Sequence, residues 1–84
     1  MNYFDVRSEI SENLKYYMGV NGLSLSELSK ESRVPKSSLS RYLKGLRIPS
    51  FVQMVNLACV LGVTVDDLFS TDEIINEEGV KNWR

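Results

Sequence analysis

The chain contains no histidine and a single cysteine, Cys59. An internal disulfide is therefore impossible, and the Cys/His clusters that hold structural zinc are excluded. Most acid–base schemes that rely on an imidazole go with them. There is no glycine-rich phosphate loop, so an enzyme is the least supported reading and no cofactor is expected. No apolar run approaches the roughly 20 residues of a membrane span. The first residues, "MNYFDVRSEI", lack a basic start and an apolar signal stretch. The chain is thus expected to stay in the cytoplasm without a membrane partner. No stretch alternates apolar and polar residues for long, so strands are not expected over most of the chain.

What remains suits one soluble domain. The 84 residues are 43% hydrophobic and 25% charged, ordinary values for a globular protein with a modest core. Cys59 lies in "VNLACVLGV" and is expected to be a small core residue. The acid pair Asp66 and Asp67 falls where a helix start favours negative charge. Net charge is −1, but it is unevenly placed: −1 over residues 1–23, +4 over 24–61 and −4 over 62–84. Six basic residues fall within 30–47 against one acid, Glu31. Local charge, not the total, sets a binding field.

Helical spacing runs through the chain. Val6, Ile10, Leu14, Tyr17 and Met18 share one face, and Gly19 and Gly22 are expected to end that helix. "SLSE" at 24–27 reads as a capping box, in which serine and glutamate satisfy each other's backbone amides. "SFVQ" at 50–53 repeats the pattern with glutamine, and its helix is expected to bury Phe51, Met54, Val55, Ala58 and Leu61 before stopping at Gly62. "TVDD" at 64–67 is a weaker start signal leading to Leu68 and Phe69. Together these predict a compact all-α domain of about five helices.

The segment "VPKSSLSRYLKG", residues 34–45, is distinctive. At about 100° per residue, Leu39, Tyr42, Leu43 and Leu46 gather on one side, and Lys36, Ser37, Ser40, Arg41 and Lys44 fill an arc of about 140° on the other. Pro35 suits the first helical turn and Gly45 a stop. A solvated helix usually mixes acids with bases four residues apart; this one has no acid. Its short serines let a second surface come close, and hydroxyls serve phosphates and base edges alike. Such a face suits the DNA major groove, which is wide enough to admit a helix.

Over residues 6–69, "LSLSELSKESRVPKSSLSRYLKGLRIPS" followed by "MVNLACVLGVTVDDLF" resembles the lambda-repressor/Cro-like, or Xre-type, helix-turn-helix family. The second half, "GLRIP" and then "LACVLGVTVDDLF", is the more specific part. The resemblance implies five helices, with 24–32 as the first motif helix and 35–44 as the recognition helix. It implies base reading by Lys36, Ser37 and Arg41 with Ser40 and Lys44 alongside. It also implies phosphate contacts from the start of the 24–32 helix, with Ser24 and Ser26, and from Arg47, Lys44 and Arg33. Arg41 is the candidate guanine reader, since its fork matches both acceptors of that base; the alternative is a phosphate clamp. Relatives often carry glutamine where this chain has Leu25 and glycine where it has Arg33. An arginine–glutamate pair common in relatives is replaced here by Met18 and Leu43. Exchanging a whole buried ion pair for apolar residues is often neutral or stabilising.

The expected organisation is a DNA-binding domain over 1–69 and an acidic tail over 70–84. In that tail Ile74, Ile75, Val80 and Trp83 either dock on the domain or bury against a second copy, with Ile74, Ile75 and Trp83 the candidate dimer contacts. A short helix and a hairpin around Gly79 are both compatible with it. The expected function is a sequence-specific, repressor-like transcriptional regulator that binds double-stranded DNA as a homodimer. The alternative is a protein-interaction module of the same fold, contacting another regulator through its acidic C-terminal segment.

Overall fold

The structure, a computed structural model, describes residues 3–69. Five α-helices are present there: α1 (Tyr3–Asn21), α2 (Leu25–Ser32), α3 (Lys36–Leu43), α4 (Phe51–Leu61) and α5 (Val65–Phe69). The segment 70–84, with Ile74, Ile75 and Trp83, lies outside the described residues.

Most of the helix ends have a local reason. At α2, the Ser24 hydroxyl accepts from the Glu27 amide at 3.1 Å and the Glu27 carboxylate accepts from the Ser24 amide at 2.8 Å, a complete capping box. Thr64 and Asp67 form a second complete box at α5, with distances of 2.9 and 3.2 Å. The pattern at α4 is half a box: Ser50 caps the Gln53 amide, but the Gln53 side-chain oxygen accepts from the Tyr42 hydroxyl instead of turning back. Pro35 sits one place earlier than expected, as the residue before α3, with φ −57° and ψ 144°. The residue before a helix is extended, and proline holds it so.

α3 closes with a Schellman motif: Leu46 donates to the Arg41 carbonyl at 2.9 Å, Gly45 donates to Tyr42 at 3.1 Å, and Gly45 has φ +72°. α1 and α4 end in the same way at Gly22 and Gly62. Gly19 does not terminate α1, which runs on to Asn21. One glycine in a helix interior weakens it by about 1 kcal/mol, which tertiary packing outweighs.

The core gathers Ile10 and Leu14 of α1, Leu28 of α2, Val34 of the turn, Leu39 and Tyr42 of α3, Met54, Leu57, Ala58 and Leu61 of α4, and Leu68 of α5. Met18, Leu25 and Leu43 pack against its edge, so the two residues in place of an ion pair both meet apolar surface. Polar side chains tie helix ends across the core. Asn13 donates to the Leu68 carbonyl at 2.8 Å, fixing α5 on α1. Asn21 donates to the Leu61 carbonyl at 3.1 Å, fixing the end of α4.

Three expectations from helical spacing are corrected. Phe51 is 72% exposed, and Cys59 is exposed rather than in the core. α4 is apolar on more than one side, so spacing alone does not choose its buried face; Met54, Leu57, Ala58 and Leu61 take it. Leu46 lies beyond α3 and is 55% exposed, because the left-handed turn at Gly45 carries the chain off the helical register.

The buried Ser11 hydroxyl donates to the Leu43 carbonyl in the last turn of α3, 2.5 Å away. Ser11→Ala leaves that carbonyl without this donor and is expected to lower stability by about 1–3 kcal/mol. At about 4–8 °C per kcal/mol for a domain of this size, thermal unfolding reads the loss; an unchanged midpoint contradicts it.

Candidate nucleic-acid interface

α2, the turn at Arg33–Pro35 and α3 form a helix-turn-helix. The turn is tight because serines hold it. Ser29 donates to the Val34 carbonyl at 2.6 Å, and the buried Ser32 donates to the Leu28 carbonyl at 2.6 Å while accepting from the Val34 amide at 3.3 Å. Arg33 ends α2 in the left-handed region, φ +64° and ψ 23°, its amide donating to Ser29. This is the position where relatives favour glycine, and the conformation explains the preference.

Burial divides α3 as its spacing predicts. Leu39 is fully buried and Tyr42 is 6% exposed. Lys36, Ser37, Arg41 and Lys44 are exposed, and Ser40 is half-buried. The face has no acid because the sequence from 34 to 45 has none. Ser24, Ser26, Arg33 and Arg47, the expected phosphate partners, are also exposed. Arg41 and Arg47 line one surface cleft together with Ser38, Tyr42, Ile48, Ser50 and Gln53. The cleft thus unites the end of α3 with the start of α4.

Two further features were not apparent from spacing. Lys36 donates to the Ser26 hydroxyl at 3.1 Å, bridging the first turns of α2 and α3. Leu25 is half-buried against the core, and the neighbouring Ser26 makes the inter-helix contact. Ser38 and Gln53 also border the cleft. Gln53 reads in sequence as half of a capping box, and the Tyr42 hydroxyl near the end of α3 takes its side-chain oxygen instead. At the start of α2, the Ser24 amide and hydroxyl bind the Glu27 carboxyl and hold it below the usual carboxylate range. The box uses the amides of Ser24 and Glu27 and leaves those of Leu25 and Ser26 outside it.

A basic, acid-free helix held across a second helix by a tight turn defines a DNA-binding helix-turn-helix domain. A helix-turn-helix family model matches residues 14–68, and the chain belongs to this family of lambda-repressor-like DNA-binding regulators, which is not a family of enzymes. Among solved structures, the chain is similar to one titled as the SinR protein/SinI protein complex, with 29% identity and a TM-score of 0.72, covering 88% of this chain and 73% of that one. It is also similar to the clp gene regulator ClgR from Corynebacterium glutamicum, with 23% identity and a TM-score of 0.73, covering 93% and 81%. The second likeness bears on fold alone. The sequence matches no curated protein. No helix among the described residues is long and apolar enough to cross a membrane.

Arg33→Gly separates stability from contact. Relieving a left-handed non-glycine residue is expected to raise stability by about 1 kcal/mol. A denaturant titration reads this, and a lower midpoint shows that the Arg33 side chain contributes more than its backbone loses.

Proposed function

We propose that this chain is a sequence-specific, repressor-like regulator that lays α3 in the major groove of double-stranded DNA. Lys36, Ser37, Ser40 and Arg41 face base edges in this reading. Ser24, Ser26, Arg33, Lys44 and Arg47 meet phosphates and set the register, since phosphate contacts position and base contacts specify. The observation that carries the reading is the exposed, acid-free face of α3 opposite Leu39 and Tyr42. The Lys36–Ser26 hydrogen bond supports it, because a tethered lysine loses less freedom on binding. One recognition helix reads only a few base pairs, so two copies on half-sites one helical turn apart double the contact. The domain responsible is residues 1–69, with 70–84 as a separate acidic segment.

The SinR relative was solved together with SinI protein, which favours a second reading: binding to another regulator through the acidic 62–84 segment. The two differ in salt dependence. A chain that neutralises several phosphates loses DNA affinity steeply as salt rises.

Two substitutions test the assignment of roles. Arg41→Ala is expected to relax preference at one base position and weaken specific binding by about 1–3 kcal/mol. Arg47→Ala is expected to weaken binding to all duplexes alike and to lower the salt slope by about one. Selection from a randomised duplex pool, followed by affinity measurement at several salt concentrations, reads both. An unchanged preference for Arg41→Ala removes it as a base reader, and an altered preference for Arg47→Ala reverses the sorting.

A further inference from the structure

α4 leaves an apolar face without a partner among the described residues. At about 100° per residue, Phe51, Val52, Val55 and Cys59 fall within an arc of about 100°. Phe51 is 72% and Val52 67% exposed, Val55 is half-buried and Cys59 is exposed. α4 carries no charged residue anywhere. Apart from the side that carries Gln53 and Asn56, α4 is apolar beyond what its core face needs, and this further apolar side is open. The same residues, Phe51 and Cys59, are those that spacing places in the core.

We propose that this face is the docking site of the chain's own residues 70–84. That segment, "STDEIINEEGVKNWR", holds Ile74, Ile75, Val80 and Trp83, a second apolar set that needs cover. It follows α5 directly, and α5 packs against α4. Ile74 is five residues beyond Phe69, within about 17 Å at full extension. α4 itself is about 16 Å long. The 15 residues therefore reach the whole face, and attachment gives a high effective concentration. Charge also matches. The segment carries Asp72, Glu73, Glu77 and Glu78 against Lys81 and Arg84. Arg33 shares a surface hollow with Asn56, Cys59 and Val60 at the edge of that face, beside Glu31. The docking face lies on α4 and not on α3, although Arg33 at its edge is also a phosphate partner in the DNA reading, so the test below is made without DNA.

The chain supplies its own probes, one cysteine on the face and one tryptophan on the segment. The rate at which Cys59 reacts with an aromatic disulfide reagent is compared between the full chain and its Ile74→Asp/Ile75→Asp variant. The variant is expected to react about tenfold faster, the protection lost when a segment docked about nine-tenths of the time is released. Equal rates overturn the proposal. Protection that grows with protein concentration also overturns it, and assigns the face to a second copy. Val52→Asp, at an exposed position outside the core, is expected to move Trp83 emission to longer wavelength. Unchanged emission overturns the proposal independently of any effect of the isoleucine changes on folding.

Discussion

The presentation of α3 depends on how its last turn is tied to α1. The Ser11 hydroxyl takes the Leu43 carbonyl at 2.5 Å, and Arg7 takes the Leu46 carbonyl at 3.1 Å just beyond it. The last carbonyls of a helix have no partner inside it; Ser11 satisfies the part-buried one at Leu43, and the Arg7 bond adds an exposed tie just past the helix. Between them the chain turns at Gly45, where a β-carbon would meet α1 only at ordinary contact, 3.9 Å from the Arg7 carbonyl oxygen and 4.0 Å from the Ser11 β-carbon, and where φ of +72° favours glycine. With that end fixed, and with Leu39 and Tyr42 locked in the core, the opposite side of α3 has no course but outward.

Charge then gives the outward side its meaning. The region 24–61 is net +4 in a chain that is net −1, and α3 contributes bases with no acids. The first turn of α2 is less simple. Its amides and dipole favour an anion, but Glu27 already places a carboxylate there and closes the box with Ser24. The box leaves the Leu25 and Ser26 amides outside it, and Ser26 holds Lys36 nearby. The two helices thus share one polar junction, which couples the orientation of α2 to that of the exposed side of α3.

Much of this was legible in the sequence because it is local. Capping boxes, the C-terminal glycines and the division of α3 into apolar and basic sides follow from spacing and side-chain chemistry. The family resemblance added the pairing of α2 with α3 and the unusual status of Arg33, which the left-handed backbone then explains. What spacing could not supply depends on which helix lies beside which. α4 offers more apolar residues than one face holds, so helical spacing assigns Phe51 and Cys59 to the core although both are exposed. Gln53 has two competing partners, and the proximity of Tyr42 decides between them. The Lys36–Ser26 bridge joins residues ten apart in sequence across a turn, a contact no periodicity encodes.

The claim at the centre of this account is that the acid-free side of α3 is the surface that meets DNA. Its most direct test is an NMR titration of the labelled chain with a generic duplex of about one to two helical turns, at two salt concentrations. Shifts gathered at Lys36, Ser37, Ser40, Arg41 and Arg47 that weaken as salt rises are the expected result. Shifts that are absent, or confined to residues outside 24–50, contradict it and favour a protein partner instead.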